Sequence, residues 1–224
     1  MIGLGAGGRE LLEIEHAPAL KPEDPRSAGL YHTAFLFPAR EYLARWVRHA
    51  VENRIAITGA SDHHVSEAIY LDDPEGNGIE IYADRPKEAW ARENGRIAMT
   101  TERLDVDGLL STLGERDAGW RGAPDGTVVG HVHLRAGAVE AAEEWWNAAG
   151  LDTMVHYGSQ AVFLASGGYH HHIGNNIWKS RGAGRRETDR TGLAFVEMID
   201  NSATAESVAA DPWGSEIRIV PGRA

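Results

Sequence analysis

Cysteine is absent from the 224 residues, which excludes disulfides, thiolate metal sites and a cysteine nucleophile. Long apolar runs are missing too. No stretch approaches the roughly 18 apolar residues of a membrane-spanning helix, and the first residues show no basic-then-apolar leader. Positive charge is scarce, with 22 Lys and Arg against 33 Asp and Glu and a net charge of −11. That balance argues against a nucleic-acid or anionic-membrane partner, and the expectation is a soluble, cytoplasmic protein. The rest is ordinary for a chain with a real core, 42% apolar and 25% charged, long enough for one large domain or two small ones. Histidine stands out. Of 11 in all, seven fall in three short clusters, at 63–64, 131–133 and 170–172.

The local pattern occurs twice. Residues 30–37 (LYHTAFLF) predict a strand, and residues 39–53 predict a helix in which Leu43, Trp46, Val47, Ala50 and Val51 recur at helical spacing. Strands at 65–71 and 79–83 follow, joined by the turn DDPEGNG at 72–78. After a connector with a short helix near 106–113, a strand at 127–136, a helix at 139–149 and strands at 160–164 and 169–174 repeat the plan. Residues 9–15 form a short N-terminal strand before a proline-rich connector. The tail, with strands at 192–199 and 211–220, echoes the same plan: DPWGSEIRIV resembles DPEGNGIEIY at 73–82. Only about ten tail residues, 200–209, separate its strands, too few for a helix and the intervening strands. The expected organisation is therefore 1–26 as the remnant of a first module with its connector, 27–86 as a second module and 87–125 as a connector. A third module at 126–182 and a shortened fourth at 183–224 complete it.

Chemistry concentrates on the predicted strands. Glu80 shares one strand face with Tyr82, while Ile79 and Ile81 share the other. If both faces are covered, its carboxylate must be paired, protonated or bound to a metal. His32 sits between apolar neighbours on another strand, and His131 and His133 point the same way along a third. By alternation, Tyr169 and His171 would share one face and His170 and His172 the other. Two histidines and one carboxylate from different strands suit non-haem Fe(II), which must bind substrate and oxygen together. Core histidines bonded to backbone and a hydrogen-bonded core glutamate are the plainer alternatives. Tyr70 and His63 lie shortly before the turn that leads to Glu80.

Four stretches, 29–40 (GLYHTAFLFPAR), 59–86, 130–135 (GHVHLR) and 167–178 (GGYHHHIGNNIW), resemble the vicinal oxygen chelate superfamily of glyoxalases, bleomycin-resistance proteins and extradiol dioxygenases. The likeness is nearest to its catechol 2,3-dioxygenase group of the CatE type, and it runs over most of residues 9–199. The resemblance implies an α+β fold of paired βαβββ modules, with two complete central modules and shortened outer ones. It implies extradiol cleavage of a catechol-type aromatic diol with O2. His32, His131 and Glu80 match the metal ligands, with Fe(II) the implied ion and Mn(II) the alternative. His133 rivals His131, which the HxxLR spacing favours. His171 matches the acid/base histidine, ahead of His170, and His63 and Tyr70 match the oxyanion-side pair. Trp178 and Tyr169 are candidates for the pocket wall.

The sequence also departs from the family pattern. Arg218 stands where the tail would repeat Glu80, His64 replaces an expected glycine, and residues 175–177 depart from the usual GLNTW. Missing outer strands leave room for a homo-oligomer. The competing readings are a glyoxalase- or epimerase-type metalloenzyme and a non-catalytic small-molecule-binding protein on the same fold.

Overall fold

The structure of the protein is a computed structural model that describes residues 1–93, 96–115 and 117–222. Two compact units divide the chain: Met1–His16 with His32–His131, and Ala17–Tyr31 with Val132–Ala224. In the first, strands β1 (Ile2–Ala6) and β2 (Arg9–Ile14) form an antiparallel hairpin. Its turn is Gly7-Gly8, at φ 57° and 77°, a left-handed pair that two-residue hairpins need and glycine supplies without a Cβ clash. The sequence reading has β2 alone; the paired glycines are the signal for its partner.

Strand β3 (Gly29–Leu36), helix α1 (Arg40–Asn53) and strands β4 (Gly59–Asp62), β5 (Ser66–Asp72) and β6 (Gly78–Asp84) form the first complete βαβββ module. The strand order is β3-β6-β5-β4. The β3–β6 pair is parallel, whereas β6–β5 and β5–β4 are antiparallel. Parallel neighbours need a long crossover, and α1 lies within it. Leu43, Ala44, Trp46, Val47 and Ala50 of α1 are buried in one cluster with Ile69 and Ile81, and Leu71 and Ile79 pack against it. The larger ones, such as Leu43, Val47 and Ile69, contribute about 1.5–3 kcal/mol each when fully buried. Val51 departs from the expected apolar face. It is 66% exposed, at the margin of the stripe. Beyond β6, short strands β7 (Arg92–Glu93), β8 (Arg96–Ile97) and β9 (Glu102–Arg103) precede α2 (Val106–Leu110). β9 adds to the β4 edge. The Asp105 carboxylate caps α2 by accepting the Gly108 N–H.

The second complete module repeats the order with β10 (Val128–Arg135), α3 (Val139–Ala148), β11 (Asp152–Tyr157), β12 (Ala161–Ala165) and β13 (Ile173–Asn176). β10 and β13 are parallel, with β12 and β11 antiparallel beyond them. The histidine run differs from expectation. Residues 169–172 precede β13 rather than belonging to it, so the strand alternation expected for them does not apply. Gly167 and Gly168, at φ 63° and 67°, reverse the chain, and backbone bonding to β12 and β10 resumes at His172, just before β13.

The tail forms β14 (Phe195–Asp200), β15 (Ser207–Ala210) and β16 (Glu216–Pro221), in the order β14-β16-β15. It lacks a helix between β14 and β15, but β15 is an intervening strand that the sequence reading excludes. The duplicated turn is reproduced bond for bond. Asp73 accepts the amides of Glu75 and Asn77, and Asp211 those of Trp213 and Ser215. Gly76 and Gly214 take φ 86° and 89°. Seven residues after Asp211, where Glu80 follows Asp73, Arg218 lies 3.6 Å over the Phe195 ring and 2.7 Å from Glu216. That position has become a packing contact. The fold is thus paired βαβββ modules, two of them complete, with reduced outer copies.

Within β13, Gly174 approaches His133, and Asn176 bonds to it. Asn175 points to the other face, where it is 1% exposed and, among the described residues, neither its Oδ1 nor its Nδ2 has a hydrogen-bond partner. An unsatisfied buried amide costs about 1–3 kcal/mol. Asn175→Leu should therefore raise the unfolding free energy by about that amount in a urea titration; a loss of stability would refute the account.

Candidate metal centre

Alternation along β3 and β6 sends His32, Ala34, Glu80 and Tyr82 to the face opposite α1, because Ala34 pairs with Glu80 and Leu36 with Tyr82. On β5, Tyr70 stands opposite Glu80 and Ala68 opposite Tyr82. Ala34, Ala68 and Tyr82 are wholly buried there, forming a small apolar floor. The carboxylate of Glu80 is 3% exposed. Its Oε2 lies 3.1 Å from His32 Nε2 and 3.2 Å from His131 Nε2. Burial pushes this carboxyl up, but the His131 imidazole, with His32, outweighs it and holds the group well below the usual carboxylate range.

One ligand atom from each of His32, Glu80 and His131 lies within 4.8 Å of the others. Two donors bound to one first-row divalent ion at about 2.1 Å, about 90° apart, lie about 3 Å from each other. The two separations from Glu80 meet that requirement. The donor set, two imidazole nitrogens and one carboxylate oxygen, suits such an ion. All three residues belong to the first unit.

His131 is held from both sides. Its ring centroid lies 5.0 Å from that of Tyr82 and 5.5 Å from that of His32. A Cβ on Gly130 would run into the Tyr82 hydroxyl, so glycine at this strand position is a packing requirement. His63 and Tyr70 lie together, with Nε2 2.7 Å from Tyr70 Oη. Thr100, which sequence reasoning missed, supplies a carbonyl 2.6 Å from His63 Nδ1. A carbonyl only accepts, so Nδ1 carries a proton, which in the neutral ring leaves Nε2 to accept the Tyr70 O–H. The Tyr70 ring lies 5.7 Å from that of His32.

The other singled-out histidines belong to the second unit. His133 accepts the Asn176 amide, at 3.1 Å, and is surrounded by Tyr31, Phe163 and Trp178. His131, not His133, meets Glu80. His171 lies against His170 and Phe163. Trp178 is 42% exposed, and Tyr169 stacks between His170 and His172. Phe163 and Gly130 are further neighbours that the sequence reading passed over. Only Gly130 carried a signal, as a glycine inside a strand.

A model of the Glyoxalase/Bleomycin resistance protein/Dioxygenase superfamily matches residues 3–81. The chain belongs to that superfamily. Within it, the sequence is similar to the catechol-2,3-dioxygenase of Bacillus subtilis (strain 168), an oxidoreductase, at 42% identity over 86% of this chain and 68% of the relative. It is also similar to a biphenyl-2,3-diol 1,2-dioxygenase of Rhodococcus globerulus, at 34% identity over 34% of this chain and 42% of that one. A crystal structure from Bacillus subtilis described as a candidate dioxygenase shares the fold, with a TM-score of 0.51 at 14% identity over 87% of this chain. This chain spans 64% of that structure's length. No helix among the described residues is long and apolar enough to cross a membrane.

Two substitutions should shift stability in opposite directions. His64 takes φ 65° at the place where the family pattern has glycine. Left-handed backbone costs a residue with a Cβ about 1–2 kcal/mol, and glycine's extra chain entropy offsets about 0.5–1 of it. His64→Gly should stabilise the fold by about 0.5–1 kcal/mol, whereas Gly130→Ala should cost about 1–3 kcal/mol through overpacking against Tyr82. Chemical denaturation of the two variants checks both signs.

Proposed function

We propose that this chain is an extradiol ring-cleaving dioxygenase acting on catechol-type aromatic diols, with His32, His131 and Glu80 holding non-haem Fe(II). Mn(II) is the alternative ion. The observation that carries the reading is the buried meeting of Glu80 with both imidazoles, at 3.1 and 3.2 Å. The likeness to a catechol-2,3-dioxygenase over 86% of the chain supports it. When bound, the ion would supply coordination positions at which a diol and O2 meet and would acidify the bound hydroxyl.

The chain's own residues then divide the proton work. One carboxylate and two neutral imidazoles give the donor set a single negative charge, which leaves a divalent centre attractive to a catecholate. His171 takes a proton from the substrate hydroxyl and later returns it, a role that suits imidazole near neutral pH. With a proton on Nδ1, His63 can accept the Tyr70 hydroxyl proton at Nε2. A proton arriving on that nitrogen reverses the bond and lets Tyr70 donate toward developing negative charge on oxygen. The apolar floor of Ala34, Ala68 and Tyr82 limits water beside the ligands and so strengthens these interactions.

Anaerobically purified protein loaded with Fe(II) and given a panel of catechols should consume O2 and form a visible-absorbing ring-cleavage product. His32→Ala and Glu80→Ala should each lower metal affinity by more than about a hundredfold and abolish O2 uptake. One tightly bound Fe(II) with no O2 uptake from any catechol would overturn the function. Full activity in either variant would overturn the ligand assignment.

A further inference from the structure

The reversed segment at 169–172 packs four rings together. Tyr169 lies against His170, with centroids 4.0 Å apart, and stacks on His172 at 5.0 Å. His170 is wholly buried, and its Nδ1 is 2.7 Å from Nδ1 of His171. His171 meets Phe163 edge-on, at 4.9 Å. Two imidazole nitrogens at that separation share one proton: one ring donates and the other accepts. A purely structural filler gives no reason for this. An apolar ring of the same shape would pack there without a buried polar atom to satisfy.

We propose that His170 is a positioning residue for His171, a buried proton-sharing partner that fixes its ring plane and tautomer and leaves Nε2 as the proton-exchanging atom. This rests on the reading of His171 as the acid/base group. With the shared proton on His171 Nδ1, Nε2 presents a lone pair and acts as base. After Nε2 accepts the substrate proton, the shared proton crosses to His170 Nδ1. His171 then stands as a neutral Nε2–H donor, and the positive charge rests on His170. Return of the proton to product reverses both transfers, with no proton or electron left over. The surroundings suit this. Tyr169 offers its ring face to a charged His170. His172, held below the ordinary imidazole range by burial and by His170, stays neutral and accepts the Ser166 N–H at Nδ1.

The test uses the full chain, iron-loaded for kinetics, with His170→Phe, His170→Asn and His171→Asn. His170→Phe should lower kcat about 10- to 100-fold with KM changed less than about threefold, and should shift the acidic limb of the kcat–pH profile. His170→Asn, whose amide oxygen can accept the His171 Nδ1–H but cannot take the proton, should recover part of kcat and keep the acidic limb of the profile shifted. Histidine-ring 15N spectra of the unsubstituted chain should show a downfield proton bridging the two Nδ1 atoms, absent in His170→Phe. An inactive His171→Asn beside a His170→Phe variant with unchanged kcat and pH profile would overturn the positioning role alone. Wild-type turnover in His171→Asn would overturn the reading beneath it. If His170→Phe does not fold, the spectrum and His170→Asn decide: no bridging proton, or no activity in His170→Asn, refutes the pair.

Discussion

Glu80 carries a carboxylate at 3% exposure, and such a charge is tolerable only where opposite partial charges converge on it. Two imidazoles meet that demand, and the rest of the first unit follows from putting them there. His32 must come from the strand beside β6, which the parallel β3–β6 pairing provides. His131 must enter at a fixed orientation, and Tyr82 and Gly130 set it. The apolar layer under α1 occupies the opposite face and keeps the sheet in register. A one-residue slip of β6 would bring Ile79 or Ile81 to the histidines and send Glu80 into that layer.

The duplicated βαβββ plan gives the same backbone more than one use. Glu80 and Arg218 follow the same aspartate-anchored turn by the same interval, yet one faces two histidines and the other an aromatic ring. Position in the fold offers a site; the side chain decides whether chemistry occurs there. The second unit's aromatic and histidine residues around His133 and His171 repeat the point, since their strand frame is that of the first module while their contacts differ.

Much of the fold was legible because its signals are local. Helical spacing at Leu43, Trp46, Val47 and Ala50 and the repeated DPxG turn report short-range geometry, and both modules follow from them. Glu80 was legible for a similar reason, as a carboxylate inside an apolar strand. What escaped depends on partners distant in sequence or on backbone sign. The Thr100 carbonyl meets His63 across 37 residues, which no local pattern encodes. The histidine run reads as a strand because its residue types alternate plausibly, but the two left-handed glycines before it overrule that periodicity. β15 was excluded by counting residues, and a four-residue strand needs no more room than it has. The Asn175 amide is polar in a place where the pattern of its neighbours gives no warning.

The three donors meet across long stretches of chain, with His131 and Glu80 separated by 51 residues. Neither pairing of Glu80 can form until α1 has crossed over and β3 and β6 have found their register, an ordering slow to assemble because loop entropy is lost before contacts compensate it. An ion that bound only the finished arrangement would therefore act as a proofreader of topology. It would add stability by mass action to the native chain and nothing to a chain whose strands are misaligned. Under the proposed function, the cluster that carries the chemistry would also select, during folding, the one strand register able to perform it.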